Sequence, residues 1–151
     1  MKVLSINHVS VPSRDVEALS KWYEEIFDIK PIPSPIFTIP VTWYRLGDLQ
    51  LHIYFSEHKP APFQHFGVEV DDIDEIYRRA KKHSSFYQGD DSLYVMPKGE
   101  VQLYICDPDG NTIEIDYRGV DTLNPKMGYK LIRRDEQVKQ TEESRNAGLF
   151  V

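Results

Sequence analysis

Four side chains in this 151-residue chain are of types that metal chemistry uses: His8, His52, His65 and Glu114. Neutral imidazole nitrogen and carboxylate oxygen suit a divalent first-row ion, whether Fe, Ni, Co, Zn or Mn. A set of four donors leaves two octahedral positions open for water or substrate. One carboxylate on a doubly charged ion leaves a net charge of about +1, which attracts an anionic oxygen and lowers the pKa of a bound water. Taken singly, a strand histidine is hydrogen-bonded or solvated more often than it is metal-bound, and a lone strand glutamate is an exposed charge. What joins these four is their position on the elements that carry them.

Alternation places each on the polar face of a strand. In Leu49–Phe55, residues 49, 51, 53 and 55 are apolar and share one face, opposite Gln50, His52 and Tyr54. In Asn111–Tyr117, Ile113 and Ile115 oppose Thr112, Glu114 and Asp116, and in Gln64–Val70, Phe66, Val68 and Val70 oppose His65, Gly67 and Glu69. A first strand is read over Val3–Val11, ended by Pro12-Ser13. Ser13 or Asp15 then caps a helix whose stripe is Val16, Leu19, Trp22, Tyr23, Ile26 and Phe27. Four prolines in 31–40 predict a loop or a broken edge strand, and Gly47-Asp48 joins Val41–Leu46 to Leu49–Phe55 as a hairpin. After a Pro-rich linker at 59–62, Asp72 and Glu75 form a capping-box pattern before the stripe Ile73, Ile76, Tyr77, Ala80. Strands Ser92–Met96 and Val101–Cys106 and the turn Asp107-Pro108-Asp109-Gly110 lead to the last strand.

The second half repeats the first. A shift of 57 (65 − 8) lays His8 on His65, Val11 on Val68, Asp15 on Asp72, Val16 on Ile73 and Leu19 on Ile76. A shift of 62 (113 − 51) lays Leu51-His52-Ile53 on Ile113-Glu114-Ile115, so a loop insertion separates helix from strands in the second copy. The chain therefore reads as α+β, two βαβββ modules over 1–58 and 63–118, with a polar extension at 119–151 in which 134–145 is a solvated helix. If the modules pair about a pseudo-twofold axis, their polar faces line one cup and the four donors converge.

Composition narrows the classes of partner. The chain is 40% apolar and 28% charged, which is globular, and its net charge of −6 argues against a nucleic-acid partner, whose binding rests on clustered Lys and Arg. A single cysteine, Cys106, excludes an intrachain disulfide and any CxxC motif. The first ten residues lack the apolar run of a signal peptide, and no stretch reaches the roughly 20 apolar residues of a membrane span. The expectation is a cytoplasmic protein with no membrane association.

The segments Ile6–Val11, Arg45–Ile53, Gln64–Val68 and Asp107–Ile115 resemble the vicinal oxygen chelate superfamily, which contains glyoxalase I, extradiol dioxygenases, fosfomycin-resistance thiol transferases and antibiotic-binding proteins. The DPDG turn followed by an inward Glu114 is the most specific of them. The resemblance covers residues 1–118. It implies paired modules forming an open, eight-stranded, barrel-like sheet, usually in a homodimer. By position His8, His65 and Glu114 match the superfamily's metal ligands, and His52 stands where glyoxalase-like members hold a carboxylate. The remaining three match the two-histidine, one-carboxylate triad of ring-cleaving iron dioxygenases.

The leading expectation is a metal-dependent enzyme acting on a small oxygenated metabolite, of lyase or isomerase type similar to lactoylglutathione lyase. Glu114, Glu69 and Tyr54 are the candidate proton carriers. The alternatives are a non-haem Fe(II) extradiol-type dioxygenase and a non-catalytic protein that binds a small molecule such as an antibiotic. In the last case an aromatic-lined cleft would draw on Trp43, Tyr44, Tyr54, Tyr94 and Tyr104. His58 and His83 are read as structural or solvated.

Overall fold

A computed structural model describes residues 5–62 and 64–148. The expected strand residues Val3 and Leu4, Phe63 at the start of the second module and the last three residues of the extension lie outside this range. Two compact units divide the chain: Met1–Phe66 with Cys106–Asn111, and Gly67–Ile105 with Thr112–Val151.

In the first unit, strand β1 (His8–Ser13) leads to helix α1 (Val16–Phe27), a short β2 (Pro31–Ile32), β3 (Val41–Leu46) and β4 (Leu49–Phe55). They form a four-stranded sheet in the order β1-β4-β3-β2. Strand β1 runs parallel to β4, with Val9 opposite Leu51 and Val11 opposite Ile53. Strands β3 and β4 are the expected hairpin, Tyr44 opposite Leu51, and Gly47 in the turn takes a φ of 59° that favours glycine. Burial follows the helical stripe: Leu19, Trp22, Tyr23 and Ile26 of α1 join Tyr44, Leu51 and Ile53 in one core. Each of these large apolar side chains contributes roughly 1.5–3 kcal/mol by leaving water.

Strand β1 starts later than the sequence predicts and runs on through Pro12 and Ser13. Proline is tolerated because β1 is an edge strand, where a missing N–H breaks no ladder bond. Asp15 is the cap of α1, accepting from the Ala18 amide at 3.0 Å, while Ser13 Oγ accepts from the Asp15 amide at 3.0 Å.

The first unit also holds the turn 107–111. Buried Asp107 accepts from Tyr23 Oη at 3.1 Å, from Asn111 Nδ2 at 2.6 Å and from the amides of Asp109 and Asn111 at 3.0 and 2.8 Å. Ser13 Oγ donates to Asp109 Oδ2 at 2.6 Å, and Asn111 Nδ2 reaches the Pro12 carbonyl at 3.2 Å. The DPDG motif is thus a hydrogen-bonded knot as well as a turn.

The second sheet has the order β5-β8-β7-β6-β9, the order of the first sheet plus one strand. Its members are β5 (His65–Glu69), β6 (Leu93–Val95), β7 (Val101–Cys106), β8 (Thr112–Tyr117) and β9 (Leu131–Arg133), with α2 (Ile73–His83) between β5 and β6. Strand β5 straddles the division between the units. Ile73, Ile76, Tyr77 and Ala80 of α2 are buried, as are Leu93, Val95, Leu103, Ile113 and Ile115. The caps repeat as the sequence does: Asp15 and Asp72 have φ/ψ of −135/90° and −136/89°. The Asp72 side chain accepts from the Glu75 amide at 2.9 Å, but Glu75 turns away from the box to pair with Arg78 and Arg79.

The extension is more than polar tail. Strand β9 adds to the edge of the sheet, parallel to β6, with Tyr94 opposite Ile132. Tyr129 packs edge-on against Tyr77, centroids 4.9 Å apart, and its hydroxyl donates to Asp74. In place of one helix over 134–145 there are two short ones, α3 (Arg134–Gln137) and α4 (Glu142–Asn146), because Val138 is extended between them. Among the described residues no helix is long and apolar enough to cross a membrane.

Candidate functional site

In the first unit the register puts His8 opposite Gln50, and both Ser10 and Trp43 opposite His52. These residues share the face of the sheet turned away from α1. The His8 and His52 rings stack with centroids 4.5 Å apart and planes 15° from parallel. Trp43 covers the other face of His52 at 4.3 Å and 7°, and Phe37 lies 5.9 Å beyond Trp43. Burial, and after it the charge of His8, lowers the pKa of His52 below the ordinary imidazole value.

Each imidazole has an outer partner that fixes its tautomer. His8 Nδ1 lies 2.6 Å from Asn7 Oδ1 and His52 Nε2 lies 2.8 Å from Gln50 Oε1. An amide oxygen only accepts, so those nitrogens carry the protons and Nε2 of His8 and Nδ1 of His52 keep their lone pairs. Such partners are the usual outer support of a metal-ligating histidine. Tyr54 is half-buried on the same face as His52, whereas His65 is exposed at the start of β5.

Tyr44 departs from the aromatic cleft envisaged from sequence. It lies on the helix side of β3, fully buried, with its hydroxyl donating to Glu24 at 2.8 Å. Burial pushes it up to about 12. One residue of register separates it from Trp43, and alternation sends the two to opposite faces.

In the second unit Glu114 is buried, 8% exposed, on the face of β8 that also carries Asp116. Gln102 Nε2, from β7, donates to Glu114 Oε1. Tyr104 stands on the same face, its phenol pushed up by burial and then by its hydrogen bond with Glu114. Asp116 is held above the ordinary carboxylate range by burial first and by the charge of Glu114 second, and its Oδ1 is buried with no hydrogen-bond partner. Gly67 makes room for this carboxylate: a Cβ there would meet Asp116 Oδ2 at 2.9 Å. Asp116 was not singled out from sequence, although its place two residues after Glu114 on one strand face was legible. Glu69, a candidate proton carrier, is exposed and paired with Arg118, which holds it below the usual range and makes it a weaker base.

In each unit the chemistry suits a divalent ion: His8 and His52 each keep one nitrogen lone pair in the first, and in the second the buried Glu114 stands beside Asp116, whose buried Oδ1 has no hydrogen-bond partner. Among the described residues no group of three or more His, Cys, Asp or Glu side chains is gathered as a metal site.

Strand orders β1-β4-β3-β2 and β5-β8-β7-β6, each with its helix after the first strand, define a protein of duplicated βαβββ modules. Residues 5–115 match the family model described as the Glyoxalase/Bleomycin resistance protein/Dioxygenase superfamily, and the chain belongs to that superfamily. Its members bind small-molecule substrates and typically use divalent metals. The chain is 26% identical over 123 residues to the Bacillus subtilis (strain 168) protein YwbC, covering 75% of this chain and 97% of that one. Among solved structures, lactoylglutathione lyase from Agrobacterium tumefaciens superposes with a TM-score of 0.58 at 19% identity, over 79% of this chain and 97% of that one. The fosfomycin resistance protein FosX from Mesorhizobium loti gives 0.58 at 18%, over 84% and 99%. At these identities the structures speak for the fold alone.

Proposed function

We propose that this chain is a divalent-metal-dependent enzyme acting on a small oxygenated metabolite, of the lyase or isomerase type. His8, His52, His65 and Glu114 are its metal ligands. The observation that carries the reading is the carboxylate pair on β8. Glu114 is buried, and Asp116 beside it has a buried oxygen with no hydrogen-bond partner. Two neighbouring carboxylates drawn out of water cost several kcal/mol unless a held proton or a cation offsets them, and a bound cation would take over from the proton.

The bound ion would supply Lewis-acid stabilisation of charge developing on substrate oxygen. The chain's own groups do the rest. Asn7 and Gln50 hold the His8 and His52 rings in one tautomer. Gln102 fixes the Glu114 carboxylate. Tyr54, on the His52 face, and Glu114 remain the candidate proton carriers, while the ion pair with Arg118 makes Glu69 the poorest of the three.

Metal analysis of protein purified without chelator, followed by His65→Ala, tests this reading. Stoichiometric metal in the native chain and its loss in the variant are expected. Protein that neither carries nor takes up a divalent ion would end it.

A second reading has one observation in its favour. The His8 and Trp43 rings hold the His52 ring in place without a metal, and with His52 as a wall residue His8, His65 and Glu114 make a two-histidine, one-carboxylate set. That set serves oxygen-dependent cleavage of catechols by Fe(II). Oxygen uptake by the Fe(II)-loaded protein with catechol would favour it over the isomerase.

A further inference from the structure

The C-terminal extension places a cation on the candidate active face of the second sheet. Arg134 follows β9 directly, and its guanidinium carbon lies 4.2 Å from the centroid of the Tyr94 ring. Tyr94 is opposite Gln102 on the next strand, and Gln102 donates to Glu114 on the strand after that. The Tyr94 and Tyr104 rings meet edge to face at 6.0 Å along the same surface. Tyr94 and Glu114 therefore share one face two strand spacings apart, or about 10 Å, with the Arg134 guanidinium over Tyr94.

Arg134 is half-buried, and its guanidinium sits over the Tyr94 ring. One N–H donates to Gln137 Oε1 at 3.2 Å, and among the described residues no carboxylate lies within ion-pair range of it. The ring and Gln137 account for part of the group, and its other N–H donors suit carboxylate and phosphate oxygens. In a chain of net charge −6 an anionic ligand is repelled at long range, and a local uncompensated arginine is what makes its capture favourable.

We infer that Arg134 is a specificity-determining residue that binds an anionic group, carboxylate or phosphate, on the substrate, several bonds away from the oxygens that react. Which end reacts rests on the metal reading above. The anion contact does not. The Tyr94 phenol donates to Asp90 at 2.6 Å, which keeps the ring in place beneath the guanidinium.

The test uses the full chain with its arginine side chains isotopically labelled and followed by NMR. Inorganic phosphate and glycolate serve as separate probes, first on metal-free protein and then after loading with Zn²⁺. A saturable shift of the Arg134 Nε–H signal is expected with at least one probe. Arg134→Gln should weaken binding about tenfold or more, followed at the Gln102 side-chain amide. Arg134→Lys keeps the charge without the fork and should lie between. Arg45→Gln, on the other unit, should change nothing. A response to phosphate alone assigns a phosphorylated or phosphonate substrate, a response to glycolate alone a carboxylate, and a response to both an anion site of either kind. No saturable shift with either probe, or equal affinity in Arg134→Gln, would overturn the inference. Metal content is measured on the same samples. Anion binding without metal uptake sinks only the metal reading, and metal uptake without anion binding sinks only this one.

Discussion

The indole of Trp43 lies flat against the imidazole of His52, centroids 4.3 Å apart and planes 7° from parallel, while His8 covers the opposite face. A ring held on both sides keeps its orientation without a metal. Trp43→Ala removes one of those sides and leaves His52 exposed to water. Loss of the stack and of indole packing should cost about 1–3 kcal/mol in urea unfolding, with Trp43→Phe recovering most of it. The ring protons of His52 report the cause: their upfield displacement over the indole should vanish in Trp43→Ala and persist in Trp43→Phe.

Gln102 is 5% exposed and spends its amide on Glu114. Gln102→Leu keeps the volume and removes the donor. Outer partners of a metal ligand are worth about 10–100-fold in metal affinity, so this variant should bind a divalent ion that much more weakly in competition with a chelator. A fold left intact by circular dichroism, with affinity unchanged, would show that Gln102 does not support a metal ligand.

Asp107 makes the stability of the first unit depend on pH. Burial raises its pKa from 3.8 to about 6 despite the four donors around it. The folded chain therefore keeps a proton that the unfolded chain gives up between those values. The stabilisation is complete below pH about 4 and is lost as pH rises through about 6, a change of roughly 3 kcal/mol from this one group. Above that window Asp107 is charged and depends most on its donors. Tyr23→Phe deletes one of them and should cost about 1.5–3 kcal/mol at pH 7.5 and markedly less at pH 4, read from urea midpoints at the two values.

The strands and helices that carry the candidate site were legible because each obeys a local rule. Leu49–Phe55 alternates cleanly after the Gly47-Asp48 turn, and both helix starts have an aspartate cap, so their bounds follow from the residues. The faces of His52 and Glu114 follow from the same alternation. What was not legible depends on partners distant in sequence. Pro12 sits inside β1 only because that strand is at an edge, which pairing order decides. Tyr44 and Trp43 look alike in composition, and only register says that one is core and the other faces the histidines. Strand β9 is three residues long, Leu131–Arg133, too short for a periodic signal, and it is a strand because the β6 edge offers it a ladder.

That ladder makes the extension part of the fold, with a measurable share in its stability. Strand β9 covers the edge of β6, and the Tyr129 hydroxyl donates to Asp74 in the first turn of α2 while its ring meets Tyr77 edge-on. Tyr129→Phe keeps the ring contact and removes the hydrogen bond to a charged acceptor, for an expected loss of about 1 kcal/mol or 2–4 °C in melting temperature. Ending the chain after Gly128 removes ring, strand and bond together. It also leaves the β6 edge open to pairing with another chain. The truncated protein should melt at a lower temperature than Tyr129→Phe and should form concentration-dependent aggregates in light scattering. Equal melting temperatures for the truncated and full-length chains would mean that β9 adds nothing to the sheet it borders.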